Sequence, residues 1–446
     1  MQKRYHLIAI GGSVMHNVAL DLADLGNEIT GSDDEIYEPS KSRLLKKGLL
    51  PDKIGWDSDR IDDSIDAIIL GKHARNDNPE LLKAQSSGIP IYSFPEFVAS
   101  KSKATKRVCI SGSHGKTSTT AMIMHVLKYH DYDFDYLVGA NLDGFDKMVK
   151  LSDSDILVVE GDEYPSSCLD MRAKMLHYRP NIAVITGIAW DHVNIYKTYE
   201  DYKNIFRDFL NGLQKDAICF FDQTDSDLNK MMINEVFPPK RQSYNSFETN
   251  KKGEIIYNGQ AFPISIFGNH NLKNLKAAYH VCQSLGIENH AFFEAIANFK
   301  GAAKRLELIF ESERLTVYKD FAHAPSKCEA TVNAVKGKYQ NKNLTAILEL
   351  HTFSSLDKSF ITQYAETMSN ADKAFVYFDP NALKMKQMPD LDPEFVAKSF
   401  KHPNIEAIDN SKRLKEVLES IKTDDTEVLL VMSSGSLGGF DLTTFF

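Results

Sequence analysis

The chain contains, at positions 108–117, the run Val108-Cys109-Ile110-Ser111-Gly112-Ser113-His114-Gly115-Lys116-Thr117. A short apolar run of β type enters a Gly-X-X-Gly-Lys-Thr turn, and a run of helix type at 121–128 leaves it. Small residues in such a turn let backbone N–H groups approach phosphates, and the helix N-terminus adds a partial positive charge. The pattern predicts that Lys116 contacts the β- and γ-phosphates of a nucleoside triphosphate and that Thr117 binds Mg²⁺. The strict eight-residue motif would need Gly in place of Ile110, so a plain surface turn before a helix is the alternative.

Length and composition exclude several classes of protein. The 446 residues, 43% hydrophobic and 25% charged, suggest a globular chain of about three domains. A formal net charge of −9 without a basic tract argues against a nucleic-acid partner. Five scattered cysteines without a Cys-X-X-Cys pair are typical of free thiols in a reducing cytoplasm, so we expect a cytoplasmic protein. The N-terminus resembles a strand rather than a signal peptide, and the apolar runs are too short to span a bilayer, so we expect no membrane partner.

Short β-branched runs alternate with amphipathic helical runs along the chain, which predicts α/β layers with mostly parallel sheets. The predicted strands include residues 7–10, 67–70, 108–110, 156–159, 183–186, 344–348 and 428–432, and segment 253–266 could form a hairpin. Polar stretches at 100–107 and 299–305 suggest domain boundaries. We therefore expect domains at 1–105, 106–302 and 303–446.

The first predicted strand runs into a glycine turn. The turn is Gly11-Gly12-Ser13-Val14-Met15-His16, and Asp33 follows about 20 residues later. Two glycines, a helix start and an acidic residue at that distance form a degraded dinucleotide fingerprint, since its third glycine is missing. A nucleotide-type ligand at this turn and a plain tight βα turn are both compatible with the pattern.

Further polar groups follow other predicted strands. Glu160 comes directly after the apolar run 156–159 and is the candidate for a second Mg²⁺ anchor, with an acidic surface loop as the alternative. His192, in Trp190-Asp191-His192, is a candidate cation ligand, although Mg²⁺ prefers oxygen and a polar surface residue is the alternative. In the helix-spaced run after Gly268, side-chain amides could contact adenine or cap the helix. Arg305 and Asp320 could bind phosphate and a ribose hydroxyl, or be surface charges.

Taken together, these motifs resemble the Mur ligase family, the ATP-dependent amide-forming enzymes of peptidoglycan synthesis. The resemblance covers almost the whole chain. In order, it includes the loop Gly112–Thr117, Glu160, Asp191-His192, the run Gly-X-His-Asn-X-X-Asn-X-X-Ala-Ala from Gly268, Phe299-X-Gly-X-X-X-Arg305-X-Glu307, and Asp320-Phe321-Ala322-His323-X-Pro325. Chance agreement of six ordered motifs is very improbable.

The resemblance implies a three-domain α/β architecture. A Rossmann-like N-terminal domain would bind a UDP-muramoyl substrate, a central P-loop ATPase-like domain would hold ATP and Mg²⁺, and a Rossmann-like C-terminal domain would bring the amine substrate. ATP would be bound by Gly112, Ser113, His114, Gly115, Lys116, Thr117, Ser118, Asn271, Asn274, Arg305 and Asp320. Mg²⁺ would be bound by Thr117, Glu160 and His192, and the UDP-muramoyl group by Gly12, Ser13, His16 and Asp33. The catalytic residues would be Lys116, Glu160 and His192, with Asn271 and Asn274 near adenine, Arg305 on phosphate and Asp320 on ribose.

The reaction implied is attack of the muramoyl lactyl carboxylate on the γ-phosphate, followed by attack of an amine on the acyl phosphate. The run Glu160-Gly161-Asp162-Glu163-Tyr164 and the run Asp170-X-Arg172-X-Lys174-X-X-His177-Tyr178-X-Pro180 resemble the murein peptide ligases. That branch joins L-alanyl-γ-D-glutamyl-meso-diaminopimelate to UDP-N-acetylmuramate. The branch that adds L-alanine is the alternative, and a P-loop kinase or a non-catalytic UDP-muramoyl sensor are remote alternatives.

Some segments depart from the family pattern. Phe206 stands where some branches carboxylate a lysine, Ser113 replaces a more usual Thr, and Pro165 replaces an Asp. Two C-terminal segments, 349–355 and 433–439, fit only loosely, and they lie where the resemblance places the amine substrate. Because a phosphate loop between strand and helix is expected to be exposed, Lys116→Ala is expected to abolish most turnover with little loss of fold.

Overall fold

The computed structural model describes residues 2–193, 195–301 and 305–446. These residues form two compact units. The first unit comprises Met1–Ile188, Glu200–Asn245 and Lys276–Ile296, and the second comprises Ala189–Tyr199, Ser246–Leu275 and Ala297–Phe446. The predicted domain boundary at 302/303 lies outside the described residues.

The N-terminal segment of the first unit forms a four-stranded parallel sheet with the order β2-β1-β3-β4. Its elements are β1 (Arg4–Ile8), α1 (Ser13–Asp24), β2 (Glu28–Ser32), α2 (Ser40–Lys47), β3 (Ala67–Leu70), α3 (Pro79–Ser87), β4 (Ile91–Ser93) and α4 (Phe94–Lys101). The predicted strand at 7–10 ends earlier than expected, because Ala9 has φ +67° and already begins the turn toward α1. The glycine turn therefore starts two residues sooner along the chain.

The central segment of the first unit forms a seven-stranded sheet with the order β11-β10-β9-β5-β8-β6-β7. Its elements are β5 (Lys106–Ser111), α5 (Lys116–Tyr129), β6 (Asp135–Leu137), β7 (Val149–Lys150), β8 (Ile156–Gly161), β9 (Ile182–Ile185), α6 (Tyr199–Asn211), β10 (Ile218–Asp222), α7 (Ser226–Asn234) and β11 (Lys240–Tyr244). All neighbouring strands are parallel except β6 and β7. Since β5 lies between β8 and β9, the loops that follow these three strands meet at one edge of the sheet.

Buried polar side chains fasten α1 to the edge of the central sheet. The Asn17 side chain accepts a hydrogen bond from the Met148 N–H at 3.0 Å, and Asp21 accepts one from the Leu151 N–H at 2.8 Å. Lys147 forms an ion pair with Asp21 at 2.5 Å. Burial raises the pKa of Asp21, and the hydrogen bond and charge of Lys147 counteract that rise. These contacts position the N-terminal glycine turn against the central segment.

The predicted hairpin at 253–266 is confirmed. Its strands are β12 (Ile255–Tyr257) and β13 (Gln260–Phe262), which pair antiparallel, and the next elements are α8 (Asn269–Ser284) and α9 (Asn289–Ile296). The loop Asn258-Gly259 between the strands has φ +48° and +79°, which suits a two-residue hairpin turn.

The C-terminal part of the second unit forms a six-stranded sheet with the order β14-β15-β19-β16-β17-β18, in which only β14 is antiparallel to its neighbour. Its elements are β14 (Glu307–Glu311), β15 (Thr316–Asp320), α10 (Pro325–Lys338), β16 (Leu344–Leu350), α11 (Lys358–Ile361), β17 (Lys373–Phe378), α12 (Pro380–Met385), α13 (Pro393–Ser399), β18 (Ile405–Ile408), α14 (Ser411–Ile421), β19 (Val428–Met432) and α15 (Leu442–Phe445). Ala346 and Leu348 pack into one apolar cluster and Ile347 into another, so both faces of this sheet are covered. Among the described helices, none is both long enough and apolar enough to cross a membrane.

We expect Asp21→Ala to lower the free energy of unfolding by about 2 kcal/mol, because it leaves the buried Leu151 N–H without its acceptor and Lys147 without its main partner. Asp24→Ala is the matched control, since Asp24 is 44% exposed and its pair with Lys147 lies at the surface. Its expected cost is under about 1 kcal/mol. Urea unfolding of both variants checks the difference, and equal losses would show that the Asp21 contacts do not hold α1 in place.

Candidate functional site

The predicted phosphate loop lies between β5 and α5, as expected. Gly112 has φ +123°, and a Cβ there would lie 2.9 Å from the Gly187 carbonyl oxygen and would clash with Thr186, so the position requires glycine. Gly115 has φ +78° and precedes the first residue of α5, and within the described residues no side chain caps this helix. The first N–H groups of α5 therefore have no acceptor within the helix. They point toward the place where a phosphate would bind.

Lys116 forms a largely buried ion pair. Its Nζ lies 2.9 and 2.8 Å from the two carboxylate oxygens of Glu163 and 2.6 Å from the Gly112 carbonyl oxygen. Burial works against the charged ammonium, but the carboxylates of Glu163, Asp162 and Glu160 outweigh it and raise the pKa of Lys116. The expectation of an exposed Lys116 is wrong: its side chain is 16% exposed and that of Glu163 is 0% exposed. Removing the ammonium would leave the Glu163 charge buried without its partner.

Thr117 and Glu160 are brought together, as the prediction of two Mg²⁺ anchors requires. The Thr117 hydroxyl donates to Glu160 Oε2 at 3.1 Å, and Glu160 Oε1 accepts the Gly139 N–H at 3.1 Å. Two oxygens that share an octahedral Mg²⁺ at 2.0–2.1 Å lie about 3 Å apart. The oxygen donors and their spacing fit this cation, so these two side chains could hold it.

The other residues of the loop are packed into its walls. Ser113, Thr117 and Ser118 are buried, and the Ser113 hydroxyl lies 3.0 Å from the Tyr202 hydroxyl. The His114 carbonyl oxygen accepts a hydrogen bond from the Thr186 hydroxyl. Phe206, which stands where some branches carboxylate a lysine, is fully buried and packs edge to face on Tyr202. The walls of the loop are therefore set by residues after β9 and on α6.

The N-terminal glycine turn brings together Gly11, Gly12, Ser13 and Asp33. Asp33 Oδ2 accepts the Gly11 N–H at 2.7 Å, and α1 begins at Ser13 with Gly12 as its cap residue. Burial raises the pKa of Asp33 to about 6, the Gly11 N–H opposes the rise, and Asp34 adds to it. The Ser13 hydroxyl lies 3.7 Å from the Met148 sulfur. These residues could form one anion-binding turn beside the central segment.

His16 supports this turn from within the fold. It is 2% exposed, and its Nδ1 lies 2.9 Å from both the Gly12 carbonyl oxygen and the Ser40 hydroxyl. Its Nε2 lies 3.0 Å from the Asn17 amide and 3.2 Å from Arg43. Burial lowers the pKa of His16. Direct contact between His16 and a substrate stays a prediction, whereas its contacts with the turn are part of the fold.

His192 lies in the second unit, after Asp191. The Asp191 carboxylate accepts the His192 N–H at 2.7 Å, and His192 adopts a left-handed conformation with φ +56°. Asp191 also pairs with Lys327 at 3.4 Å. The carboxylate therefore holds the backbone of His192 while its own charge is balanced by Lys327.

The predicted nucleotide-binding residues of the second unit lie near one another. Asp320 accepts the Leu306 N–H at 3.2 Å and the Thr331 hydroxyl at 2.6 Å, and Arg305 lies over the Phe321 ring at 5.1 Å. Burial lowers the pKa of His270, Asp320 opposes the change, and Lys273 and Arg305 add to it. His270, Arg305 and Asp320 are thus close enough to influence one another.

The two asparagines of the helix-spaced run lie on α8. The Asn271 amide donates to the Phe267 carbonyl oxygen at 2.9 Å, and Asn274 is buried. Gly268, at φ +90°, directly precedes the helix, and a Cβ there would lie 2.6 Å from Ala334. This close approach fixes the start of α8 against α10.

The loosely matching C-terminal segments meet around Glu349 at the end of β16. Glu349 is 2% exposed and accepts the Leu437 N–H at 3.1 Å and the Ser433 hydroxyl. A Cβ on Gly435 would lie 2.6 Å from the His351 ring. The two segments that the resemblance connects with the amine substrate therefore form one structural element.

Three residues near the candidate site have no role predicted from the sequence. Glu163 and Lys174 stand in the two runs that resemble the murein peptide ligases, and Lys72 belongs to no motif. Glu163 is the second of two acids that follow β8, so only its position after the strand could have marked it. Lys72 Nζ lies 3.5 Å from the Tyr164 ring centroid, and Lys174 Nζ lies 2.6 Å from Asp162. These pairs join residues that are distant in sequence, apart from Lys174 and Asp162.

Three family models match the chain in order. The model "Mur ligase family, catalytic domain" matches residues 4–105, and the model "Mur ligase middle domain" matches residues 110–282. The model "Mur ligase, glutamate ligase domain" matches residues 304–435. The UDP-N-acetylmuramate–L-alanine ligase of Caldicellulosiruptor bescii is 32% identical over 392 residues, which cover 84% of this chain and 83% of that protein. The chain belongs to the Mur ligase family.

Solved structures of this family share the fold. The murein peptide ligase of Psychrobacter arcticus has a TM-score of 0.66 at 20% identity, covering 98% of this chain and 97% of its own. The UDP-N-acetylmuramate–alanine ligase of Thermotoga maritima has a TM-score of 0.68 at 22% identity, covering 97% and 96%. The predicted three-domain α/β architecture of a Mur ligase is confirmed. This Mur ligase is an ATP-dependent ligase of peptidoglycan synthesis, which decides against a kinase.

We expect Lys116→Ala to abolish activity and also to lower the free energy of unfolding by up to about 3 kcal/mol, because it leaves a buried carboxylate without its partner. Lys116→Ala combined with Glu163→Gln should recover most of that stability without recovering activity, since the buried charge is then gone. Urea unfolding and phosphate release from ATP measure the two effects separately. A double variant as unstable as Lys116→Ala would contradict the role given to the ion pair.

Proposed function

We propose that this Mur ligase joins L-alanyl-γ-D-glutamyl-meso-diaminopimelate, through its free amino group, to the lactyl carboxylate of UDP-N-acetylmuramate. The observation that carries the ligase chemistry is the arrangement of Lys116, Thr117 and Glu160 at the uncapped start of α5. An ammonium, a hydroxyl and a carboxylate converge there on the N–H groups of a helix N-terminus. This is the set of groups that phosphoryl transfer from ATP requires.

The phosphate loop would bind the triphosphate of ATP. The N–H groups at the start of α5 and the Lys116 ammonium would hold phosphate oxygens, and the raised pKa of Lys116 keeps it charged at neutral pH. Thr117 and Glu160 would hold Mg²⁺, and the hydrogen bond from Gly139 orients the Glu160 carboxylate for that purpose. Mg²⁺, when bound, neutralises charge on the phosphate oxygens. Catalysis would come mainly from positioning and from charge neutralisation.

The acid substrate would be held by the N-terminal glycine turn. Gly12 and Ser13 offer the N-terminus of α1 to a diphosphate, and Asp33 is held against the Gly11 N–H beside them. The contacts of α1 with Met148 and Leu151 keep this turn against the central segment. A substrate bound at the turn would therefore be held in a fixed position relative to the phosphate loop.

The chemistry would proceed in two steps. The lactyl carboxylate oxygen attacks the γ-phosphorus, the bond to the β-phosphate oxygen breaks, and an acyl phosphate and ADP form. The amine nitrogen then attacks the acyl carbon, and the tetrahedral intermediate collapses with release of inorganic phosphate as the nitrogen loses a proton. The Lys116 ammonium would stabilise the charge that develops on the transferred phosphoryl group in the first step.

The peptide is proposed as acceptor because the segment after β8 resembles the murein peptide ligases in sequence. Its residues 170–177, which resemble the murein peptide ligases, are ordered by a two-point ion pair between Arg172 and Asp170 and by His177, whose Nε2 lies 3.1 Å from Asp170. L-Alanine is the second candidate acceptor, because the relative from Caldicellulosiruptor bescii is named a UDP-N-acetylmuramate–L-alanine ligase. The two acceptors require the same first step and differ only in the amine.

The polar residues of the second unit keep, as proposals, the roles that the family resemblance implies. His192 would add a metal ligand, Asn271 and Asn274 would contact adenine, Arg305 would contact phosphate and Asp320 ribose. The hydrogen bonds from Leu306 and Thr331 hold Asp320 in one orientation, which supports a binding role for its carboxylate.

We expect Glu160→Gln to raise the Mg²⁺ concentration needed for half-maximal activity by at least about tenfold, because an amide is a weaker ligand than a carboxylate. Asp208→Asn is the matched control, since Asp208 is an exposed carboxylate on α6. A Mg²⁺ titration of phosphate release compares the variants. An unchanged titration for Glu160→Gln would remove Glu160 from the metal site.

Phosphate release with ATP, Mg²⁺ and UDP-N-acetylmuramate, measured with the tripeptide and with free L-alanine, decides the acceptor. We expect kcat/KM to be at least about 100-fold higher with the tripeptide, which corresponds to roughly 2.7 kcal/mol of preferential transition-state binding. A preference for L-alanine would assign the chain to the first amino-acid addition. Release with neither acceptor would contradict the proposed acid substrate.

A further inference from the structure

Two lysines that the proposed reaction does not yet use lie beside the phosphate loop, within the first unit. Lys72 follows Gly71 at the end of β3, and Lys174 begins a short helical turn, Lys174–His177. Both ammonium groups approach the segment Asp162-Glu163-Tyr164 that follows β8. A lysine after a strand of the N-terminal sheet and a lysine of the loop between β8 and β9 thus approach the same segment.

Lys72 has an aromatic contact in place of a carboxylate. Its Nζ lies 3.5 Å from the Tyr164 ring centroid, and among the described residues no carboxylate lies within 4.0 Å of it. A cation–π contact attracts the ammonium to the face of the ring. The N–H donors of the ammonium that do not face the ring are left for oxygen acceptors. The ring therefore restrains the ammonium without neutralising it.

The nearby acid is already engaged. Asp162 Oδ2 accepts a hydrogen bond from Lys174 Nζ at 2.6 Å, and Lys174 also lies 6.0 Å from the Tyr164 ring centroid. Lys72 is an exposed residue, but partial desolvation of its ammonium lowers its pKa to about 8; the charge of Lys174 adds to this, and Asp162 opposes it. The surroundings therefore favour an added negative charge next to Lys72.

The phosphate loop is adjacent to these lysines. Tyr164 directly follows Glu163, the partner of Lys116. The charge of Asp162 helps to raise the pKa of Lys116 and opposes the lowering of the pKa of Lys72, so it acts on both lysines. An anion bound by Lys72 would lie beside the groups that hold the transferred phosphate. In the proposed reaction the anion that must reach that phosphate is the carboxylate of the acid substrate, whereas the diphosphate belongs at the start of α1.

We propose that Lys72, restrained on the Tyr164 ring, binds the lactyl carboxylate of the UDP-muramoyl substrate and directs it toward the phosphate loop. This inference rests on the proposed function. According to this proposal, Lys72 makes the chain prefer a nucleotide sugar that carries a carboxylate over one that does not. Lys174 pairs with Asp162 and thereby offsets the carboxylate charge that would otherwise compete for Lys72.

The test measures binding to the full-length chain by calorimetry, with UDP-N-acetylmuramate and with UDP-N-acetylglucosamine, which has the same nucleotide diphosphate but no lactyl carboxylate. Lys72→Met should weaken binding of UDP-N-acetylmuramate by about 10- to 100-fold, the range of a charge-assisted hydrogen bond, and leave binding of UDP-N-acetylglucosamine unchanged. Lys83→Met is the matched control, since Lys83 is an exposed lysine on α3, and should change neither.

The pH dependence provides a second measurement. Because only the protonated Lys72 binds a carboxylate, the affinity of the wild-type chain for UDP-N-acetylmuramate should fall as the pH rises through about 8. Lys72→Arg, which stays charged, should retain its affinity for UDP-N-acetylmuramate to higher pH. The affinity of the wild-type chain for UDP-N-acetylglucosamine should not decrease as the pH rises through about 8.

The outcomes separate the two proposals. If Lys72→Met weakens both nucleotide sugars equally, Lys72 binds the diphosphate and the inference is overturned. If Lys72→Met weakens neither while the wild-type chain binds UDP-N-acetylmuramate, the inference is overturned and the proposed function stands. If the wild-type chain binds neither nucleotide sugar, the proposed acid substrate is wrong and the inference falls with it.

Discussion

The ion pair between Lys116 and Glu163 is the constraint on which the candidate site depends. Lys116 begins α5 and Glu163 follows β8, so the pair fastens the phosphate loop to the end of the neighbouring strand. Because the Glu163 carboxylate is removed from water, it requires a cation at this place. A buried pair of this kind adds little stability over apolar side chains of the same volume. We infer that the pair is kept because it holds a charged ammonium at the mouth of the loop.

The parallel arrangement of the central sheet brings further polar groups close to the Lys116–Glu163 pair. Since β5 lies between β8 and β9, the loop after β5 is enclosed by the segments after its two neighbours. Glu160 comes from one side and Thr186 with Gly187 from the other. The N-terminal glycine turn is fixed to the same unit through the buried side chains of α1. The first unit therefore contains the N-terminal glycine turn, the predicted phosphate loop and the carboxylates of Glu160 and Glu163.

The parts of the site that could be predicted from the sequence are local. The strand, the glycine turn and the helix of the phosphate loop are consecutive, and Glu160 was identifiable because it directly follows the apolar run 156–159, although it proves to lie within β8. The hairpin at 255–262 was also identifiable, because its two strands and its turn are consecutive in sequence. The pairs of Lys116 with Glu163 and of Lys72 with Tyr164 join positions 47 and 92 residues apart, and only the packing of strands determines such pairs. The wrong expectation of an exposed Lys116 has this origin, because burial of a loop depends on its neighbours in the sheet.

The amine substrate is hard to predict from the sequence because the residues that fit the family pattern least are also those that hold the local structure. Glu349 uses its carboxylate on the Leu437 N–H and the Ser433 hydroxyl, so it shapes the loop after β19. Gly435 is required there, because a side chain would meet the His351 ring. Phe353, by contrast, is 48% exposed and contacts Lys386 at 5.0 Å from its ring centroid. A change of acceptor would be expected to alter exposed positions such as Phe353 while Glu349 and Gly435 remain, so a change of substrate need not alter the residues that support the loop.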